Sequence, residues 1–175
     1  MKNIVVGILV CLFALPASAQ ELHVSVPLQR QDEAPKRKCY TPDEAEAEQG
    51  IRIHSELMVI GLNCQHMTPR GWKNFYQQYR ELTNRNSDLF AGYENTLISY
   101  FAQAGERNPE GRLHDMRTVM ANKVSTDAAR MRPDIFCSTY APRLPKAAQM
   151  SREQLRQWAA STSATGPVSH PRCTR

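Results

Sequence analysis

Apolar residues recur every three to four positions along most of the chain after residue 40, which is the spacing of amphipathic helices. The predicted helices span residues 42–64, 69–83, 88–104, 110–131 and 151–160. No segment shows the two-residue alternation of a strand. The pattern predicts an all-α fold, and the short connections favour an up-down bundle of four to five helices.

Residues at the predicted helix starts support these boundaries. The first helix begins at Thr41-Pro42-Asp43-Glu44, where a capping threonine precedes a proline and a glutamate that can reach back to the cap. Thr68-Pro69 and Asn108-Pro109 repeat the cap and the proline, and Ser151 is a further candidate cap. Each of these residues predicts the start of a helix.

The N-terminus has the features of a secretory signal. Lys2 precedes an apolar run over residues 4–15, and Ala17-Ser18-Ala19 forms a small-residue cleavage pattern. The run is shorter than the roughly 20 residues that span a bilayer. We therefore expect a mature protein without a transmembrane segment, either periplasmic or secreted. The predicted organisation is a signal peptide at 1–19, a polar leader at 20–38, a helical bundle domain at 39–160 and a polar tail at 161–175.

Four cysteines lie outside the signal, namely Cys39, Cys64, Cys137 and Cys173. An even number of cysteines in an exported chain predicts a disulfide framework, here of two bonds, with the tail held through the last cysteine. None of them forms a Cys-x-x-Cys pair, so we predict no metal site.

Helix geometry limits the pairing of these cysteines. Cys39 and Cys64 flank a predicted helix of about 35 Å, so they cannot bond to each other. If the fourth helix ends where the first begins, the pairs are Cys39–Cys137 and Cys64–Cys173, which we favour. The alternative is Cys64–Cys137 with Cys39–Cys173, which requires the chain to return after Pro133.

Part of the chain resembles small exported helical proteins of alphaproteobacteria that have no known function. The residues that carry the resemblance are Glu56-Leu57-Met58-Val59-Ile60-Gly61-Leu62-Asn63-Cys64, Met120-Ala121-Asn122-Lys123-Val124-Ser125 and Phe136-Cys137. It covers roughly residues 39–140 and implies an exported helical fold, without an activity or catalytic residues.

The charge distribution suggests a binding surface. Residues 130–175 carry eight basic residues against only Asp134 and Glu153, in a chain of net charge +5. A basic end on an exported protein suits an anionic polymer, a lipid surface or an acidic envelope protein. The predicted binding residues are Arg143, Lys146, Arg152 and Arg156. We expect no nucleic-acid partner, because basic residues are not interleaved with aromatic ones here.

The leading functional hypothesis is therefore a non-enzymatic envelope protein that binds through its basic C-terminal part, without a cofactor. The alternatives are a cell-wall-active enzyme using a carboxylate such as Glu56, or a bundle that binds a metal or small ligand, with His54 and His114 as candidate ligands. The aromatic stripe Trp72, Phe75, Tyr76 and Tyr79 has two interpretations, as core or as the lining of a ligand groove.

Overall fold

The computed structural model describes residues 37–68, 70–161 and 167–173. The predicted signal peptide and most of the predicted leader lie outside these residues. The helices are α1 (Pro42–Cys64), α2 (Phe75–Arg85), α3 (Ser87–Gln103), α4 (Pro109–Arg130), α5 (Pro133–Tyr140), α6 (Arg143–Gln149) and α7 (Arg152–Ala160), with a short 3-10 turn at Gln65–Met67. The fold is all-α with two disulfides, as predicted; α5 and α6 were not expected from the sequence.

Helix α1 is the centre of the fold, because α2, α3, α4 and α7 all pack against it. It is buried around its circumference rather than along a single stripe. Small residues make this possible. A methyl group placed on Gly50 would lie 2.2 Å from Cε2 of Tyr93, and one on Gly61 would lie 3.3 Å from Cα of Tyr76. Tyr93 and the backbone of α2 therefore pack directly on the backbone of α1.

Most helix starts follow the predicted capping chemistry. The Thr41 side chain accepts a hydrogen bond from the Glu44 backbone amide while Glu44 caps Thr41 in return, and Ser151 forms the same arrangement with Gln154. The predicted start of α2 at Thr68-Pro69 is wrong, because Asn74 is its cap. Thr68 instead accepts from the backbone amide of Phe75 at 3.2 Å, and residues 70–74 form a loop before the helix.

Helices α2 and α3 form one antiparallel pass along α1, broken at Asn86. Their contacts move steadily toward the start of α1. The pairs are Gly61 with Tyr76, His54 with Tyr79 and then Phe90, Glu46 with Tyr93, and Tyr40 with Tyr100. Helix α4 runs in the opposite direction to α3. Arg112, near the start of α4, lies over Phe101 near the end of α3, whereas the later Arg117 pairs with the earlier Glu94. Helix α4 therefore runs parallel to α1.

This path makes the favoured disulfide pairing wrong. The bonds are Cys64–Cys137, with Cα atoms 5.5 Å apart, and Cys39–Cys173, with Cα atoms 5.0 Å apart. An up-down bundle in which α2 and α3 are two separate passes would put the end of α4 beside Cys39. They are one pass, so α4 ends beside Cys64, and α5 brings Cys137 to it.

The rest of the chain returns along α1 and holds the tail. Ser169 donates its backbone amide to the fully buried Glu48 at 2.9 Å, and Arg52 donates to the same carboxylate at 2.7 Å. The backbone amide of Tyr40 donates to the Pro171 carbonyl at 2.8 Å, next to the Cys39–Cys173 bond. The tail is tethered through Cys173, as the sequence predicted. Within the described residues, no helix combines the length and apolarity needed to cross a membrane.

Replacing Gly50 with alanine should lower the free energy of unfolding by about 1–3 kcal/mol, because the new methyl group overlaps the buried Tyr93 ring. The matched control is Gly92→Ala on α3, where a methyl group meets nothing within 4 Å. That change should stabilise the helix by up to about 1 kcal/mol. Urea denaturation of both variants measures the difference, and equal effects would contradict close packing at Gly50.

The two disulfides should differ in their resistance to reduction. Cys64 and Cys137 are buried, whereas Cys39 and Cys173 are partly exposed. Dithiothreitol without denaturant should therefore free Cys39 and Cys173 first, because a thiolate must reach a disulfide sulfur to attack it. Alkylation followed by peptide mass spectrometry measures the order. In urea both bonds are exposed, so they should be reduced at similar rates. Equal rates of reduction without urea would contradict the prediction.

Candidate binding cleft

Three of the four predicted basic binding residues are held in ion pairs within the protein. Arg143 Nη1 lies 3.0 Å from Glu56 Oε2, Arg156 Nε lies 3.0 Å from Glu46 Oε1, and Arg152 pairs with Asp88. Lys146 is exposed on α6 and makes no ion pair with the described residues. The basic residues of the C-terminal part are thus largely paired with acidic residues of α1 and α3.

Around Glu46 the ion pair extends into a small polar network. The Tyr93 hydroxyl donates to Glu46 Oε1 at 2.9 Å, and burial together with this carboxylate raises the pKa of Tyr93. Arg152 and Arg156 line a shallow polar depression of about 250 Å³ beside these groups. Its charged side chains already neutralise one another, which leaves little net charge to attract an anionic partner.

Glu56, the candidate catalytic carboxylate, lies among cations. Burial raises its pKa, and Arg143, Arg52 and Lys123 act in the opposite direction. Hydrolysis of a glycosidic bond requires a second carboxyl group at a defined separation. Among the described residues, Glu56 is ion-paired with Arg143 and lies near two further basic groups, which is the geometry of an ion-paired helix residue.

The two candidate histidines occupy different environments. His54 is buried in α1, with Nε2 2.9 Å from the Tyr79 hydroxyl and 3.2 Å from the Thr83 hydroxyl. Burial lowers the pKa of His54 to about 4, and the charge of Arg117 adds to this effect. His114 is exposed on α4. In the part of the chain that the structure describes, no group of three or more His, Cys, Asp or Glu residues is placed to hold a metal ion.

An apolar concavity lies beside the Cys64–Cys137 bond and has a volume of about 370 Å³. We call it the apolar cleft. Its lining residues are Met67, Thr68, Trp72, Phe75, Gln78, Asp134, Cys137, Ser138, Ala141, Pro142 and Pro145. A cavity of this size and composition lies within the range of small-molecule sites.

One wall of the cleft is the loop before α2. Gly71 has a φ of 83°, a left-handed conformation that favours glycine, and it precedes Trp72. Trp72 is 67% exposed and Met67 is 41% exposed. The loop therefore presents large apolar side chains at the mouth of the cleft.

The opposite wall is formed by α5 and α6. Pro142 separates these two short helices, and Pro145 lies in the first turn of α6. Cys137 fixes this wall to the end of α1 through its bond to Cys64. Both walls are therefore anchored at the same point of the central helix.

The sequence predicted part of this cleft. Of the aromatic stripe, Tyr79 is buried in the core, as the first interpretation has it, whereas Trp72 and Phe75 line the cleft. That these two residues line a ligand groove stays a prediction. The residues on α5 and α6 were missed. The signal for them was the spacing of Pro133, Pro142 and Pro145, which breaks the chain into short helices.

Comparisons of the chain with models of protein families, with curated proteins and with solved structures find no significant match.

The buried His54 should make stability depend on pH. Its folded pKa of about 4 lies below the unfolded value of 6.5, so the unfolded chain takes up the proton first and stability falls as pH drops through this window. Between about pH 7.5 and 5.5 this costs about 1 kcal/mol. Urea denaturation should show that His54→Gln loses this part of the pH dependence.

The control for this experiment is His66→Gln, because His66 is exposed. It should keep the pH dependence of the wild type. If His54→Gln also keeps it, the assignment of the pH dependence to His54 is wrong.

Proposed function

We propose that this chain is an exported, non-enzymatic binding protein that holds a hydrophobic molecule in the apolar cleft. The observation that carries the proposal is the cleft itself, a concavity of about 370 Å³ with apolar walls and an exposed tryptophan at its mouth. Large apolar side chains left at the surface around a concavity are typical of binding sites.

Export is supported by two features. The N-terminal residues have the pattern of a secretory signal, and disulfides persist in oxidising compartments. A periplasmic or secreted protein meets hydrophobic compounds of the envelope and of the medium. A disulfide-bonded bundle with an apolar cleft suits the binding of such compounds.

We place the binding site in the cleft rather than on the basic C-terminal surface. An anionic partner at that surface would have to compete with Glu56, Asp88 and Glu46 for the three arginines. The cleft requires no such exchange. One wall of the cleft is formed by α5 and α6, which belong to the C-terminal part of the chain. The proposal therefore keeps the binding role that the sequence predicted for this part.

Trp72 provides a direct test. The chain has two tryptophans, and Trp158 lies on α7, outside the lining of the cleft. In a Trp158→Phe background, titration with the uncharged fluorophore N-phenylnaphthylamine should give saturable energy transfer from Trp72 with one site per chain. Energy transfer shows that the probe binds near Trp72, and a variant that blocks the cleft decides whether the probe lies in it.

A blocked cleft should abolish this signal. Ser138 lines the cleft on α5 and is exposed, so Ser138→Phe fills space without entering the core. Ser125→Phe, at an exposed position on α4, is the matched control. We expect binding to be lost in the first variant and kept in the second, with similar melting temperatures. Equal binding by both variants would refute the proposal.

A further inference from the structure

We infer that the molecule held in the apolar cleft is uncharged, an inference that rests on the proposed binding function and adds the chemical class of its ligand. It follows from the polar groups of the lining and from what each of them already binds. A ligand with a full charge needs an unpaired opposite charge or free hydrogen-bonding groups when it leaves water.

The one ionisable residue among the described lining residues is Asp134, since Cys137 is held in a disulfide. Its carboxylate accepts two hydrogen bonds from Arg132, from Nε at 3.2 Å and from Nη2 at 2.9 Å. The charge of Asp134 is thus matched by a neighbour in the same turn. The lining offers a ligand neither an unpaired anion nor an unpaired cation.

The neutral polar side chains of the lining are also engaged. Thr68 donates its hydroxyl to the Gln65 carbonyl at 3.2 Å and accepts from the Phe75 amide. Ser138 donates to the Ile135 carbonyl at 3.0 Å, and Gln78 donates to the Lys73 carbonyl at 2.8 Å. These bonds hold the two walls in shape. The surface that remains for a ligand to contact is mainly apolar.

The aromatic side chains define that surface. Trp72 and Phe75 form one side, and Ala141, Pro142 and Pro145 form the other. A hydrocarbon or aromatic body fills such a site by displacing water from both walls.

The test compares three compounds that share one hydrocarbon chain: octanol, octanoate and octylammonium. Each is used at neutral pH to displace N-phenylnaphthylamine from the Trp158→Phe protein. Octanol should displace the probe at a concentration about tenfold lower than either ion, because a charge in this lining loses hydration without gaining a partner. Displacement by octanoate or octylammonium at the concentration that octanol requires would overturn the inference.

A pair of variants tests the same point from the protein side. Ser138→Asp adds a charge to the lining, and Ser138→Asn adds a neutral group of the same size. The aspartate should weaken octanol binding severalfold and strengthen octylammonium binding, whereas the asparagine should do neither. Equal effects of the two variants on octanol would also overturn the inference.

The outcomes separate the inference from the proposed function. If octanol and both ions displace the probe equally well, the cleft binds but does not select uncharged molecules. If none of the three displaces it, the inference fails, whereas the proposed function is decided separately by the Ser138→Phe and Ser125→Phe variants.

Discussion

The fold depends on the burial of α1 on all sides. A helix that is surrounded by neighbours needs small residues where they approach it, and Gly50 and Gly61 meet this requirement. It also carries polar groups into the interior, where each one is costly unless it is paired. Glu48 is fully buried, and its partners are Arg52 on the same helix and Ser169 in the tail. The later parts of the chain therefore complete the hydrogen bonding of the first helix as well as covering it.

This constraint explains the uneven charge of the chain. The acidic residues of α1 precede the basic residues of the C-terminal part by about a hundred positions, and the fold brings the two sets together. Glu46 pairs with Arg156, and Glu56 pairs with Arg143. Exposed pairs of this kind contribute little stability individually, typically below about 1 kcal/mol. They fix the position at which α6 and α7 lie along α1. A basic segment in a sequence is thus ambiguous, since its anionic partner can belong to the same molecule.

Local signals in the sequence predicted most of the helices, and the errors came from features that local signals do not encode. The cap at Thr41 and the proline at Asn108-Pro109 marked real helix starts because capping is chemistry within one turn. The disulfide pairing depended instead on the direction of each helix. Asn86 lies between α2 and α3 but does not reverse the direction of the chain, since both helices run toward the start of α1. The sequence at such a break does not indicate whether the chain reverses direction. The disulfide pairing could therefore not be derived from the spacing of the helices and cysteines.

The apolar cleft depends both on prolines that end helices locally and on a disulfide that joins distant parts of the chain. Prolines at 133, 142 and 145 divide the α5–α6 segment into two short helices, and the cleft lies between this segment and the loop before α2. Without an attachment, such a segment would collapse onto the loop or separate from it, because short helices have little stability of their own. The Cys64–Cys137 bond holds the segment at the end of the central helix and prevents separation. On the opposite wall, the hydrogen bonds of Thr68 to the Gln65 carbonyl and the Phe75 amide link the 3-10 turn to the start of α2. The concavity therefore has a covalent support on one side and hydrogen-bonded supports on the other, which is the arrangement expected of a preorganised cavity.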